Sequence, residues 1–428
     1  MACAAGGMAL SMRVLHLSTF DTRGGAARGA YWLHRALAGR GVESRMLVGR
    51  KYGSDVDVVE PAYPLHRLAG ALRGRLDALP LSGYRKTDDS FWTLGWLPDR
   101  LDQVIATHDP EIVHLHWTGG GFMSVDALRR LPYPVVWTLR DMWAFTGGCH
   151  YTAGCERYID ACGRCPQLRS HTINDVSRRM RRRKQTAWRD TDLWLVPISS
   201  WLADCVDRSG LFDQRPVNVI PNGIDTGCFR PEDRAEAKIA WGLDPQRRHI
   251  LFGAVDPTDD VRKGFHHMLR AVRLLAEAGW SERAELVVFG GEVPDGLADL
   301  GMPVRSVGLV KDDRALARLY SACEVMVAPS EQEAFGKTLV EAMACGTPVV
   351  AFANGGPCDI VQDRRTGVLA AAGDVGELAA GIVWCIEDEA RNRELGRLAR
   401  TRAKREYDIG VVADRYHSLY GEILARAS

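Results

Sequence analysis

Residues 329–348 read PSEQEAFGKTLVEAMACGTP and are the most informative stretch of this 428-residue chain. An apolar run typical of a buried strand ends just before a loop that carries Glu333, and a helix is predicted to begin near Gly336. Glu341 then lies on the second turn of that helix. The first amides of a helix have no partner within it, so the amides of Ala334–Lys337 form a potential phosphate site. The two carboxylates flank this site and suit the hydroxyl groups of a sugar or a ribose.

Short apolar runs alternate with helical patterns on both sides of this stretch, which predicts an α/β fold. The first half opens with a strand, a Gly-rich turn and a helix, the usual start of a doubly wound domain. Strands in this half are predicted at 13–19, 44–48, 112–116, 135–139, 193–196 and 217–220. A second cycle of strands follows at 250–253, 285–289, 304–307, 325–328 and 348–352. The sequence therefore predicts two Rossmann-like domains that face a cleft.

The domain limits follow from the turn-rich linker that begins at Pro221. We expect a first domain at 12–225 that contains a Cys-rich insertion at 147–168. A second domain is expected at 226–408, and a final helix at 409–428 is expected to pack back on the first domain. Ligands of open α/β sheets bind outside the carboxyl ends of the strands, which here face the cleft.

In their order and spacing, several motifs resemble those of the retaining glycosyltransferases of family 4, which have the GT-B fold. The resemblance covers nearly the whole chain and rests on Glu333 and Glu341 with seven residues between them, Gly24-Gly25-Ala26, Pro221-Asn222-Gly223-Ile224-Asp225, Arg262-Lys263-Gly264 and Gly355–Val361. It implies transfer of a sugar from a UDP- or GDP-sugar to a glycan or lipid-linked glycan, as in bacterial polysaccharide or glycoconjugate biosynthesis. No catalytic metal is expected.

The resemblance also implies roles for single residues. Glu333 would contact the donor sugar, and Glu341 the ribose of the nucleotide. Arg262 and Lys263 would stabilise the negative charge that develops on the leaving diphosphate. Further contacts to the donor are expected from Gly24, Gly25, Asn222, Val310, Gly336 and Lys337.

The acceptor side departs from the family pattern at Arg140. Related sequences commonly have His at this position, near the reacting sugar. Arg140 stays protonated at neutral pH and cannot act as a base, but it can hold a phosphate of the donor or of a lipid-diphosphate acceptor. His116, at the end of a neighbouring predicted strand, is the next candidate for this place. An ordinary buried histidine at a strand end is an equally good interpretation of His116.

Four cysteines crowd into 17 residues of the Cys-rich insertion: Cys149, Cys155, Cys162 and Cys165. The closing CxxC suits a structural zinc site. Reduced core cysteines and a disulfide pair are the alternatives. The run around them, beginning DMWAFTGGCHY at Asp141, resembles bacterial exopolysaccharide and cell-surface glycan glycosyltransferases.

The charge balance excludes a protein that coats nucleic acid over its whole surface, since 55 Lys and Arg face 54 Asp and Glu. No apolar run is long enough to span a membrane and the start does not read as a signal peptide, so a cytoplasmic location is expected. The one strong basic run is Arg178–Lys184. It is predicted to be either a solvated helix face or a peripheral contact with anionic lipid at the inner face of the membrane.

Two other functions compete with glycosyl transfer. A nucleotide-sugar epimerase shares the two-domain architecture, but it needs acid and base groups in a different pattern from Glu333 and Glu341. A zinc-stabilised binding protein that acts through Arg178–Lys184 is the other alternative, and the intact donor motif argues against it. No binding of nucleic acid is expected.

Overall fold

The computed structural model describes residues 12–62, 66–85, 91–253, 260–291 and 300–427. Its strands are β1 (Arg13–Phe20), β2 (Glu43–Arg50), β3 (Val58–Val59), β4 (Ile112–Leu115), β5 (Val135–Leu139), β6 (Leu193–Pro197), β7 (Arg248–Gly253), β8 (Ala284–Phe289), β9 (Val304–Gly308), β10 (Val325–Ala328), β11 (Val349–Phe352) and β12 (Gly367–Ala370). Its α-helices are α1 (Gly25–Ala38), α2 (His66–Asp77), α3 (Leu101–Ala106), α4 (Val176–Trp188), α5 (Ser200–Arg208), α6 (Arg234–Ala240), α7 (Phe265–Glu277), α8 (Asp313–Ala322), α9 (Lys337–Ala344), α10 (Pro357–Ile360), α11 (Val375–Ile386), α12 (Glu389–Arg402) and α13 (Ile409–Ala427). Short 3₁₀ turns lie at Leu79–Leu81, Val125–Arg130, Trp143–Phe145, Pro166–Leu168 and Val261–Lys263, and a π-helical turn at Ala403–Tyr407.

The strands form two six-stranded parallel sheets with the same internal order. The first sheet runs β3-β2-β1-β4-β5-β6 and the second β12-β11-β10-β7-β8-β9, so the second repeats the first when it is followed from β9. In each sheet the order reverses beside the first strand, between β1 and β4 and between β7 and β10. Such a reversal opens a crevice at the carboxyl ends of the strands, where ligands bind. The predicted fold of two Rossmann-like domains is confirmed.

The central strands are nearly continuous apolar runs because helices cover both faces of each sheet. All five residues of β5 and all five of β6 are buried. The strand predicted at 217–220 was wrong, since Val217 makes only one isolated bridge, to Leu195 of β6. The segment lies beside β6 at the sheet edge, and the ladder is interrupted because Pro197 of β6 has no N–H to donate.

The C-terminal helices close on the first domain. Ile224 of the linker exchanges backbone hydrogen bonds with Tyr407 and Ile409, where the chain crosses back. Helix α13 then packs on α1 and the first sheet, and it buries Tyr416 and Tyr420. The exact limits 12–225, 226–408 and 409–428 stay predictions, and Ser428 lies outside the described residues. Among the helices of the described ranges, none is long and apolar enough to cross a membrane.

Candidate active site between the two sheets

A close approach of two backbones builds the centre of the site in the second domain. Gly264, just before α7, has a φ of 74°, and a Cβ atom there would lie 1.8 Å from the carbonyl oxygen of Pro329. Only glycine tolerates both conditions, so it allows the start of α7 to touch the end of β10. This contact places Lys263 Nζ 2.6 Å from Glu333 Oε2. The structure thus brings together two predicted site residues that are 70 positions apart.

Charge pairing keeps Glu333 ionised although the residue is largely buried. Burial by itself would raise the pKa of this carboxyl group, but Lys263 and Arg262 together lower it. The Arg262 guanidinium lies 3.9 Å from the same carboxylate and donates a hydrogen bond to the Gln332 carbonyl at 2.9 Å. One carboxylate and two cations therefore meet where the second sheet reverses its strand order.

The start of α9 provides the second carboxylate. Gly336 precedes the helix with a φ of 108°, in the left-handed region, and no side chain caps the first amides. Glu341 is only 3% exposed and accepts a hydrogen bond from the Tyr320 hydroxyl at 3.0 Å. Its other oxygen lies 2.9 Å from Lys337 Nζ. Glu341 is therefore a buried, paired carboxylate rather than a residue of an open helix surface.

The Gly-rich loop of the first domain faces these groups. A Cβ atom added at Gly24 or Gly25 would meet no atom within 4 Å, so both glycines border open space. Arg28, one turn into α1, forms a salt bridge to Asp313 of the second domain. Trp32 on the next turn lies under Lys337, whose Nζ is 4.3 Å from the ring centroid. Helix α1 therefore contacts the second domain directly.

Arg140 sits at the end of β5 and joins the first domain to the linker. Its guanidinium donates to the side-chain oxygen of Asn222 and lies 3.3 Å from His116 Nδ1. Burial lowers the pKa of Arg140 to about 10, which leaves it charged at neutral pH. A Cβ atom at Gly29 of α1 would come within 2.8 Å of the guanidinium, so this glycine makes room for it.

Behind Arg140 lies a cluster of buried histidines, of which only His116 was singled out from the sequence. His16 Nδ1 lies 2.9 Å from His116 Nε2, and His114 bonds to the Tyr420 hydroxyl at 2.6 Å and to Thr138 Oγ1 at 2.7 Å. Burial, then the neighbouring histidines and Arg140, lower the pKa of His16 and His116 well below the ordinary value. The histidines are therefore neutral. The alternation of His114 and His116 on one strand was the signal that could have indicated this face.

A second polar group missed in the sequence lies beside Trp117. His150 Nδ1 is 2.7 Å from Asp141 Oδ2, and its Nε2 is 2.9 Å from Thr93 Oγ1. Against the rise that burial would cause, His150 lowers the pKa of Asp141, which therefore stays ionised. Asp141 and His150 line a small cavity together with Trp117 and Arg140. At about 20 Å³ the cavity has room for a water molecule but not for a sugar ring.

The zinc prediction for the four cysteines is not supported. Cys149, Cys155, Cys162 and Cys165 line one cavity as free thiols. Among the residues that the structure describes, no three of these sulfur atoms lie within 4.8 Å of one another. A tetrahedral zinc ion would hold its sulfur ligands about 3.8 Å apart. In this metal-free arrangement, burial raises the pKa of each of Cys149, Cys162 and Cys165.

The basic run Arg178–Lys184 does not form a continuous solvated face, and the predicted contact with anionic lipid stays a prediction. Lys184 and Arg181 are buried on the inner side of α4. Within the run, the exposed residues are Arg179 and Arg182. Val310, predicted near the nucleobase, is half-buried between β9 and α8, and its role stays a prediction.

Comparisons with known proteins agree with this architecture. Residues 23–227 match the family described as Glycosyltransferase Family 4, and residues 247–388 match Glycosyl transferases group 1. The chain is 30% identical over 386 residues to a D-inositol 3-phosphate glycosyltransferase of Mycobacterium sp. (strain KMS), covering 86% of this chain and 80% of that protein.

Solved structures share the fold at low sequence identity. Sucrose-phosphate synthase from Thermosynechococcus elongatus superposes with a TM-score of 0.70 at 21% identity, over 97% of this chain and 100% of that one. Anabaena HepE in complex with UDP-glucose superposes with a TM-score of 0.66 at 18% identity, over 96% of this chain and 100% of that one.

Proposed function

Because the chain belongs to glycosyltransferase family 4, we propose that it transfers a sugar from a UDP- or GDP-sugar to a hydroxyl group of a glycan or lipid-linked glycan, with retention of the anomeric configuration. The observation that carries this proposal is the contact of Lys263 with Glu333 at the strand-order reversal of the second sheet. A cation and an ionised carboxylate side by side suit a ligand that joins a diphosphate to a polyhydroxylated ring.

The donor half acts on the leaving group. Breaking the bond between the anomeric carbon and the phosphate oxygen places negative charge on the departing nucleotide diphosphate. Lys263, Arg262 and the uncapped amides after Gly336 stabilise that charge before it develops, which lowers the barrier. Glu333 binds hydroxyl groups of the transferred sugar, and Glu341 with Lys337 binds the ribose.

The acceptor half positions a neutral nucleophile. The acceptor oxygen attacks from the face that the diphosphate leaves, and its proton passes to the released phosphate oxygen. No side-chain base is required in this scheme, which fits a site with Arg140 in place of histidine. Arg140 holds a phosphate group near the transfer site, and His116 stays neutral behind it.

An inositol phosphate is the second candidate acceptor. This candidate is supported by the mycobacterial relatives that are named D-inositol 3-phosphate glycosyltransferases, one of which is 30% identical to this chain over 386 residues. Arg140 could then bind the acceptor's own phosphate, because a guanidinium matches phosphate geometry with two parallel hydrogen bonds.

Incubation with UDP- and GDP-sugars tests the proposal. Each donor is combined with inositol 3-phosphate or with a polyprenyl-diphosphate glycan, and products are identified by mass spectrometry and proton NMR. We expect one donor to yield a product with the anomeric configuration of the donor. An inverted product would contradict the retaining mechanism, and an isomerised nucleotide sugar without acceptor would identify an epimerase.

A further inference from the structure

The Cys-rich segment of the first domain, residues 147–168, reaches across the cleft to the loop that carries Glu333. The backbone amide of Ala153 donates to Gln332 Oε1 at 3.2 Å. Gln332 Nε2 in turn lies 3.3 Å from Thr152 Oγ1. The segment is therefore attached to the residue directly before Glu333.

Tyr151 extends this contact to the cations of the site. Its ring covers the Arg262 guanidinium, whose central carbon is 4.1 Å from the ring centroid. Stacking of this kind holds a guanidinium in one orientation. The same Arg262 faces Glu333 and donates to the Gln332 carbonyl. One aromatic residue of the first domain thus lies against the charged groups of the second.

The ring of Tyr151 lies against Arg262, whose guanidinium is 3.9 Å from the Glu333 carboxylate, and this places Tyr151 beside the groups that we assign to the transferred sugar. Burial raises the pKa of Tyr151, and the Glu333 carboxylate raises it further, against the opposing effects of Arg262 and the backbone amide of Ala334. The hydroxyl group is therefore neutral, and it can donate one hydrogen bond and accept another.

Neighbouring groups fix the position of Tyr151 from behind. Gln167 Nε2 donates to its carbonyl oxygen at 2.7 Å. The buried amino group of Lys184, whose pKa burial lowers to about 7, donates to the carbonyls of Trp143 and Thr146 and so holds the chain that leads into the segment. A residue whose backbone is held this way is suited to recognising a ligand, because little ordering of the chain is needed on binding.

We propose that Tyr151 completes the donor-sugar pocket and that its hydroxyl group, together with Glu333, binds a hydroxyl group of the transferred sugar. The inference rests on the proposed function and adds a specificity-determining residue that the acceptor domain supplies. The donor sugar is then recognised in full only when the two domains are in contact. The Cys-rich segment positions Tyr151 for this contact.

Replacement of Tyr151 by Phe isolates the hydroxyl group, because the ring that covers Arg262 is kept. Calorimetric dissociation constants are measured for UDP-glucose against UDP and for GDP-mannose against GDP, with the full chain. The matched control is Tyr158→Phe, which removes a hydroxyl group from the same segment at a buried position beside Phe145.

We expect Tyr151→Phe to weaken binding of the preferred nucleotide sugar about fivefold, the effect of one hydrogen bond, and to leave the free nucleotide within twofold. Tyr158→Phe should change neither. Equal weakening of the sugar nucleotide and of the free nucleotide would overturn the inference, since Tyr151 would then act only through Arg262. Unchanged binding of both ligands would also overturn it. A wild-type protein that binds none of UDP, GDP and their two sugar conjugates would refute the proposed function, and this inference with it.

Discussion

The two halves of the molecule share one strand order, but one places neutral side chains beside the cleft and the other places a charge pair there. In the first sheet, His16 in the middle of β1 and His116 just after β4 are buried and neutral, and Arg140 lies beside His116. At the strand ends of the second sheet, Lys263 and Glu333 form a charge pair. The topology therefore decides where a site forms, and the side chains decide what it binds.

The difference indicates which substrate each half receives. Paired charges can exchange their partners for a charged ligand, because each group already bears its charge. Neutral histidines resist charge, since burial penalises the protonated form. The second half therefore suits the nucleotide diphosphate, and the first half suits the uncharged hydroxyl group of an acceptor.

The largest expected effect comes from Lys263→Ala. Loss of this cation removes stabilisation of the leaving diphosphate, and we expect kcat/KM for transfer to fall about 10³-fold, as for removal of one preorganised donor. Exposed Lys311 of the same domain supplies the control, and Lys311→Ala should transfer at the wild-type rate. Near wild-type transfer by a folded Lys263→Ala variant would contradict the assignment.

Acid should destabilise the first half of the molecule more than the second. The pKa values of His16, His114 and His116 are lowered by burial, so below about pH 6.5 the unfolded chain binds protons that the native chain does not. The first half then loses about 1 kcal/mol per histidine by pH 5.5.

The second half should lose less stability in acid than the first. Burial lowers the pKa of His267, but the carboxylates of Glu285 and Glu324 lie 3.3 and 3.7 Å from the ring nitrogens of His249 and raise its pKa against the effect of burial. Its contribution is therefore present below pH 6.5 and is lost as the pH rises through the folded value. Hydrogen exchange at pH 7.5 and 5.5, corrected for intrinsic rates, should show the first half opening preferentially in acid. Preferential opening of the second half would refute this contrast.

The fold was predictable because its signals are local, whereas parts of the site were not. Residues 329–348 contain strand end, loop and helix start in one stretch, so the donor motif is visible without any long-range pairing. His16 and His116 lie 100 positions apart and meet only through the pairing of β1 with β4. Strand register of that kind cannot be read from one sequence.

Two predictions gained no support from the structure, because spacing in the sequence does not reveal where a side chain points. The cysteines share a cavity, but their sulfur atoms do not converge. In the basic run, Arg181 and Lys184 lie at helical spacing from Met180 and Trp188, on the buried face of α4. That periodicity indicated that Arg181 and Lys184 point toward the core, but the high density of basic residues favoured a solvated face instead.

Arg140→Met should have a moderate effect. The variant keeps the volume but leaves His116 and Asn222 without their partner, which costs about 1–3 kcal/mol of folding free energy. We expect a lower melting temperature and about tenfold slower transfer, with unchanged nucleotide affinity. Exposed Arg129 is the control, and Arg129→Met should leave stability unchanged. Weaker nucleotide binding in Arg140→Met would show that Arg140 belongs to the donor site.

The smallest effect is expected on the outer face of α4. Arg179 and Arg182 are exposed, so Arg179→Glu and Arg182→Glu together should change transfer less than twofold. Sedimentation with phosphatidylserine vesicles should also be unchanged. Vesicle binding by the wild type that the double variant loses would restore the lipid contact.

The thermal shift produced by saturating nucleotide sugar tests the division of labour between the halves most directly. A ligand that binds the native state raises its melting temperature in proportion to occupancy. We predict that one UDP- or GDP-sugar raises the melting temperature of the wild type and of Arg140→Met by similar amounts and does not raise that of Lys263→Ala. An equal shift in Lys263→Ala, or a shift lost only in Arg140→Met, would contradict the account.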